Sequence, residues 1–317
     1  MDLNLGRELE LRFAQLLQGQ AVPLSARLVD LLGQLEIEYQ VLSLSDHIQL
    51  ASPLDLIDVK TVRESLDPSV AYEHHWTIGS TSKVLTDRAV MIETRVCTAE
   101  MQTAGRGRRG RQWQSPFGQN LCISWLGSIA RPVSELGGLS IAVGIHWAEK
   151  LRAMGFQRVG LKWPNDLMMP EGKLGGILIE LEAIPGFGTR VCVGMGMNIY
   201  VAPRLSESVQ PTSCLGTGIG VTRTQFVIEA ATAIGKAVAT FGDEAMLAHQ
   251  ARWSDFDCYD SAQIGVIQGD QVMDGLNLGI HRDGGLRVKT DAGEQILYAG
   301  EVSVRATRKE EIGNGIE

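Results

Sequence analysis

Apolar positions recur along the chain in three textures. Leu24, Leu28, Leu31, Leu32 and Leu35 return every three or four residues, the period of a helix with one buried face, and Pro23 suits its first turn. An earlier helix is expected over Arg7–Leu17, and Tyr39–Leu44 and Ile48–Ala51 read as short strands of a hairpin around Ser45, Asp46 and His47. From about Ala71 to Ser261 the texture changes. Strand-like runs (Ala89–Ala99, Leu121–Trp125, Arg158–Lys162, Gly176–Glu182, Arg190–Met197) are interleaved with two helical runs, Leu139–Met154 and Gln225–Phe241. Sequential strands with few crossover helices predict an α+β domain built on a mixed or antiparallel sheet. From Ile264 onward, short strands are cut by Gly269-Asp270, Asp283-Gly284-Gly285 and Asp291-Ala292-Gly293, a spacing that predicts a small all-β barrel. The polar stretch Ala306–Glu317 reads as a frayed tail. The expected division is a small N-terminal α/β module over residues 1–68, a mixed-sheet central domain over 69–262, and a C-terminal barrel with its tail over 263–317.

Composition narrows the class. Hydrophobic residues make up 44% and charged residues 21%, which excludes a disordered, collagenous or coiled-coil chain. The net charge of −8 excludes an overall basic nucleic-acid coat but leaves room for a local basic patch. The five cysteines are scattered without a CxxC pair, which argues against a disulfide framework and for a reducing compartment. No signal peptide is readable, and no apolar run approaches the roughly 18 residues that a membrane span needs. A soluble, cytoplasmic protein is expected.

One stretch stands apart. Thr98–Trp113 carries Arg106, Arg108, Arg109 and Arg111 among Gly105, Gly107 and Gly110. These glycines satisfy GxGxxG, but no apolar-periodic helix follows and no acid stands about 20 residues on to hold a ribose, so a dinucleotide fold is refused. No GxxxxGK[ST] occurs anywhere. A glycine–arginine loop admits three readings: a solvated loop, a nucleic-acid patch, or a site for an anionic small molecule. A second cluster favours the last. Leu161-Lys162-Trp163-Pro164-Asn165-Asp166-Leu167 places a polar turn at a strand end, and Lys173 follows on a short hairpin before the glycine-led strand Gly175–Glu180.

Together the two clusters resemble the biotin protein ligases, and specifically the type that doubles as biotin operon repressor, here with an atypical N-terminal module. The matching blocks are Glu-x-Gln at Glu100–Gln102 ahead of the glycine–arginine loop, Trp113 behind it, the Lys162–Asp166 turn, and Lys-x-Gly-Gly-Ile at Lys173–Ile177. Gly79–Ser82, Gly194–Asn198 and Gly300–Ser303 extend the resemblance over roughly Ile78 to Arg305. It implies a winged-helix-like first module, an α+β catalytic domain and an SH3-like C-terminal β-barrel.

The resemblance also implies a two-step reaction. Biotin and ATP form biotinyl-5′-AMP and pyrophosphate with the help of Mg²⁺, and the biotinyl group then passes to a lysine of the biotin carboxyl carrier protein of acetyl-CoA carboxylase. Residue by residue, it makes Lys173 and Arg108 the catalytic cations. Ser80, Thr81, Ser82, Gln102, Arg106, Gly107, Arg108 and Lys173 become the biotin-binding set, and Trp113, Arg111, Lys162, Asn165, Asp166 and Asn198 the nucleotide side, with Asp166 the metal ligand. Family members commonly carry Ser-Thr-Asn where this chain has Ser80-Thr81-Ser82, so the third contact differs. Plainer readings stand beside these: a helix N-cap for Ser80 or Thr81, a core aromatic for Trp113, and a solvated hairpin lysine for Lys173. His74 and His75 lack a partner at metal-ligand spacing and read as surface residues. Lipoate ligases of the wider superfamily run the same adenylate chemistry on a different acid.

Repressor-type relatives bind DNA through a helix-turn-helix, which needs a positioning helix and a recognition helix. Between the helix expected at Arg7–Leu17 and the strand at Tyr39 there is room for one further helix, so one is missing. Residues 1–68 hold eleven acidic against five basic side chains, a net of −6. The reading is a ligase whose first module is degenerate and does not bind DNA; the alternative is a bifunctional ligase and repressor. Assembly as a homodimer is left open.

Overall fold

The computed structural model describes residues 7–42, 46–51, 54–88, 93–203, 211–268, 271–298 and 302–306. The N-terminal module comprises α1 (Arg7–Leu17), β1 (Val22–Pro23), α2 (Ala26–Gln34), β2 (Tyr39–Val41) and β3 (His47–Leu50). Its strands form an antiparallel sheet in the order β1-β3-β2. The leucine period becomes α2, but Pro23 does not open that helix. It lies in β1 opposite His47, and Ser25 is the cap, its hydroxyl accepting from the Leu28 amide at 3.3 Å. Leu28, Leu31, Leu32 and Leu35 close with Phe13, Leu16, Ile48 and Leu50 into a small core. Among the described residues, two helices precede the β2–β3 hairpin; the tip at Ser45 lies outside them.

That core does not stand alone. It takes in Phe117 and Met101, and Phe13, Trp76 and Phe117 form an aromatic triangle with centroids 6.0–6.1 Å apart. The segment leading out is stitched to the central sheet. Asp55 accepts from the Tyr200 hydroxyl and the Arg223 amide, both at 2.6 Å, and the Ile57 amide donates to Glu100 at 2.9 Å. Ile57 and Val62, the latter on α3 (Val59–Ser65), already belong to the large core.

The central sheet is assembled from β4 (Ala71–Ile78), β5 (Arg95–Gln102), β8 (Leu121–Ile129), β9 (Gly160–Lys162), β10 (Asp166–Met169), β11 (Gly172–Ile184) and β12 (Gly188–Met197). Its order is β4-β5-β8-β12-β11-β10-β9, with β4–β5 parallel and every other pair antiparallel. This is the mixed sheet that the sequence predicts. A two-stranded ribbon, β6 (Gly105–Arg106) with β7 (Gln112–Trp113), stands off it. α4 (Thr81–Thr86), α5 (Leu139–Ala153), α6 (Arg223–Ala239) and α7 (Asp243–Arg252) complete the domain.

Strand alternation sorts the two faces. Val191, Val193, Met195 and Met197 of β12 join the large core with Ile145, Trp147, Phe226 and Ile234 of α5 and α6. Their neighbours Gly194 and Gly196 fall on the other face and leave it open. A Cβ on Gly196 would come within 2.4 Å of the Trp113 ring.

The C-terminal strands β13 (Gln263–Gln268), β14 (Gln271–Ile280), β15 (Leu286–Thr290), β16 (Gly293–Leu297) and β17 (Val302–Ala306) pair as one antiparallel sheet, in the order β16-β15-β14-β13-β17. The expected barrel is therefore open: among the described residues no pairing joins β16 to β17. Its inner face (Ile264, Val266, Leu286, Val288) merges with the central core. The Trp163 indole donates to the Gly284 carbonyl at 2.9 Å, so this sheet braces the turn after β9. Residues 307–317, read as a tail, lie outside the described residues. No described helix is long and apolar enough to cross a membrane.

Candidate active site

The open face of the sheet bears one cavity of about 480 Å³. Its floor begins where β4 gives way to α4. Ser80 caps that helix, its hydroxyl facing the Lys83 amide at 3.5 Å, and it also lines the cavity, so the cap and the ligand-facing readings coexist. Ser80, Thr81 and Ser82 are all buried. Gln102, at the end of β5, accepts through Oε1 from the Thr81 amide (2.9 Å) and the Thr81 hydroxyl (3.1 Å). Thr81 Oγ1 also lies 2.8 Å from Ser124 Oγ on β8. These short polar groups hold one another in fixed directions, which is what recognition of a small polar head group needs.

The roof is the β6–β7 ribbon. Its turn is closed by the Gly107 amide donating to the Arg111 carbonyl at 2.7 Å, with Arg109 (φ 58°) and Gly110 (φ 70°) both left-handed. A non-glycine residue pays steric strain in that region, typically 1–3 kcal/mol at ~1 residue. Gly105 has a different reason to be glycine: a Cβ there would sit 2.5 Å from the Trp113 carbonyl oxygen. Arg106 reaches across to Ser82 Oγ (3.0 Å) and Glu180 Oε2 (2.7 Å), and Arg108 donates to Asn165 Oδ1 (2.9 Å). Burial lowers the pKa of Arg108, and the neighbouring Arg109 adds to this, while Asp166 opposes it. An arginine stays charged regardless, so the site carries a partly desolvated cation. The Trp113 ring lies on Gly196, and its Nε1 is buried with no hydrogen-bond partner among the described residues.

The far wall is the turn between β9 and β10. Asn165 Nδ2 donates to the Ile177 carbonyl at 2.7 Å, and the Ile177 amide returns a bond to the Asn165 carbonyl at 2.9 Å. Lys173 on β11 places Nζ 2.6 Å from Asp166 Oδ1, both side chains being mostly buried. The backbone of Lys173 is paired in turn with Pro211 and Ser213. Asn198 donates to the Ser213 carbonyl at 3.0 Å, and Lys162 lies 5.8 Å from the Tyr259 ring centroid.

Every site residue singled out from the sequence lines this cavity. Arg106, Arg108, Arg109, Arg111, Lys162 and Lys173 face it against the single carboxylate of Asp166, among the described residues. That imbalance suits a ligand carrying several negative charges.

Comparison with known proteins agrees with this chemistry. Residues 80–198 match the model of the biotin/lipoate A/B protein ligase family. The bifunctional ligase/repressor BirA of Escherichia coli K12 is 34% identical over 265 residues, covering 82% of each chain. The chain belongs to the biotin protein ligase family. The biotin–[acetyl-CoA-carboxylase] ligase of Paracoccus denitrificans is 32% identical over 64% of this chain and 88% of its own. The solved biotin protein ligase from Aquifex aeolicus, in complex with biotin and ATP, shares the fold with a TM-score of 0.62 at 22% identity, over 75% of this chain and 99% of its own.

Some residues of this ligase's cavity escaped the sequence reading. Ser124 had a signal, a hydroxyl amid the apolar run of β8. Glu180 lies outside the lining but pairs with Arg106 of the roof, a contact between separate strands that local sequence does not signal. Glu100, part of the family block, does not line the cavity at all. It sits on β5 with its side chain buried and ion-paired to the fully buried Arg223. The histidines need correction. His74 is no surface residue: its side chain is 8% exposed, with Nδ1 3.0 Å from Thr98 Oγ1 and Nε2 3.5 Å from Glu100. Burial lowers its pKa. His75 is half-buried and does have neighbours whose donor atoms come within 4.8 Å, Glu73 on its own strand and Cys97 on the paired strand β5.

Proposed function

We propose that this ligase condenses biotin with ATP and passes the biotinyl group to a lysine of a biotin carboxyl carrier protein. The observation that carries the reading is a single cavity with a neutral hydroxyl–amide floor beside a cationic wall. The relatives named as biotin–[acetyl-CoA-carboxylase] ligases and the ligase solved with biotin and ATP supply the substrate identities.

In the first step a carboxylate oxygen of biotin attacks the α-phosphorus of ATP. The bond from that phosphorus to the β-phosphate oxygen breaks, and pyrophosphate leaves. Two anions must meet, so the catalytic burden is charge neutralisation. Ser80, Thr81, Ser82 and Gln102 hold the ureido and carboxylate groups. Lys173 and Arg108 offset the charge gathering on the carboxylate and α-phosphate, with Arg106 alongside. Lys162, Asn165, Arg111 and Asn198 face the nucleotide, and Trp113 offers its ring and its unpartnered Nε1 to the adenine side. In the second step the amine of the carrier lysine attacks the acyl carbon, AMP leaves, and the amine's proton passes to solvent. Until then, the arginine loop shields the anhydride from water.

Mg²⁺ fits the residues present. Asp166 lines the cavity with Lys173 donating to its Oδ1, and one carboxylate suffices for an ion held mainly by phosphates. Bound there, Mg²⁺ would neutralise phosphate charge as pyrophosphate departs.

The first module is proposed not to bind DNA: two described helices precede its hairpin, and its net charge repels phosphate. Five unpaired cysteines suit a reducing, cytoplasmic setting. The deciding experiment incubates the protein with ATP, Mg²⁺ and labelled biotin or lipoate and detects the acyl-adenylate. Biotinyl-adenylate and label on a carrier lysine are expected; equal use of lipoate would sink the reading. Titration of the biotin-loaded protein against biotin-gene promoter DNA at physiological salt should give no sequence-specific shift at nanomolar protein.

A further inference from the structure

Away from the cavity, the parallel pairing of β4 with β5 sets Glu73 directly opposite Cys97. His75, two residues beyond Glu73, points to the same side of the sheet. One ligating atom from each of the three lies within 4.8 Å of the other two. We propose that Glu73, His75 and Cys97 form a binding site for a divalent transition-metal ion of the zinc class.

Several observations make this more than proximity. Glu73 Oε1 and His75 Nε2 are both shielded from solvent and have no hydrogen-bond partner among the described residues. Buried polar atoms left without a hydrogen bond are uncommon. Glu73 Oε2, by contrast, is held by Arg88 at 2.5 Å. That contact fixes the carboxylate, whose Oε2 also lies 4.0 Å from His75 Nε2, and a partner that orients a metal ligand from outside works in this way. Cys97 is fully buried, whereas the side chains of His75 and Glu73 remain 30% and 25% exposed, so an ion has a route in.

The donor set selects the ion. One thiolate, one imidazole and one carboxylate match zinc and its cobalt surrogate, and a water completes four-coordination. Calcium and magnesium, which want oxygen ligands, do not fit. Metal–ligand bonds of about 2.0–2.3 Å put tetrahedral donors about 3.3–3.8 Å apart, so side-chain rotation of about 1 Å closes the site. On binding, the Cys97 thiol gives its proton to solvent and the thiolate bonds the metal. The ion would pin the edge strand β4 to β5, the strand that ends at Gln102 in the cavity.

The test uses the full-length protein, reduced and stripped with a chelator, titrated with Co²⁺ alone and then with Zn²⁺. Expected are one Co²⁺ per chain, a thiolate-to-cobalt absorption with tetrahedral visible bands, displacement by Zn²⁺, and a higher Tm with either ion. Cys97→Ser should abolish the thiolate absorption, His75→Ala should weaken binding at least tenfold, and Cys258→Ser, at the exposed cysteine, should change neither. Absence of saturable Co²⁺ binding, or a thiolate band that survives Cys97→Ser, overturns the proposal. Should Cys97→Ser not fold by circular dichroism, unchanged affinity in His75→Ala overturns it instead. No arm of the test depends on ligase activity.

Discussion

On the sheet side of the cavity the polar groups bond one another, whereas Arg106 and Arg108 of the loop reach over to residues of other elements. Thr81 is tied to Gln102 and Ser124, Asn165 to Ile177, and Lys173 to Asp166, all between elements of one sheet and its flanking helix. The ribbon bearing Arg106 and Arg108 is held down by Ser82, Glu180 and Asn165. An anionic substrate would compete for those same guanidinium groups. A rigid wall can therefore set geometry while the loop gains its best partners only when the ligand is present.

The strongest way to break that contrast is to undermine the rigid wall from behind. Glu100 and Arg223 form an ion pair with 1% and 0% exposure, and Arg223 also donates to the carbonyls of Asn120 and Asp55. Arg223→Leu strands a buried carboxylate, and a loss of about 3–5 kcal/mol in unfolding free energy is expected from urea titration. Lys173→Ala tests the chemistry of the same wall. Charged hydrogen bonds contribute roughly 1.5–3 kcal/mol each, so biotin-dependent pyrophosphate release should fall on the order of ten- to a hundredfold or more. Near-normal release would move the chemistry to the loop. Arg108→Gly probes the loop itself. Adenylate should still form, within about tenfold of the parent rate, but should escape into solution, read as unbound biotinyl-adenylate in a quenched assay.

The smallest effect lies outside the site. His146 and His249 meet edge to face with centroids 5.3 Å apart, among Glu149, Lys236 and Arg252. Burial lowers both pKa values, so the unfolded chain binds protons more readily. Their contribution is complete above the ordinary histidine range and is lost as pH falls through about 6.5 toward the lowered values. His146→Gln should reduce the drop in Tm between pH 7.5 and 5.5, by about 2 °C or less.

The site was more legible than the fold around it. The arginine loop and the Lys162–Asp166 turn are rare residue combinations packed into a few positions, and they announce themselves in any context. The fold was read where periodicity was strong, as in α2, α5 and α6. It was misread where pairing overrode a local preference: Pro23 favours a helix start yet joins a strand, because β3 offers Val22 and Pro23 a partner. The short α3 and α4 carry too few turns to show a period.

What local order in the chain could specify was therefore the chemistry of each segment: a cationic loop, a capped turn, a leucine-faced helix, room for one helix between α1 and the Tyr39 strand. Which segments meet depended on sheet register. Strand alternation put Gly194 and Gly196 on the cavity face, and the pairing of β11 with β12 and β10 carried Lys173 to Asp166. The parallel β4–β5 pairing set Glu73 and His75 beside Cys97, turning two histidines that looked like surface residues into one buried against Glu100 and one facing a thiol. Such contacts join residues far apart in sequence, and a hydrogen-bonded ladder selects them only once the apolar face of each strand has been buried.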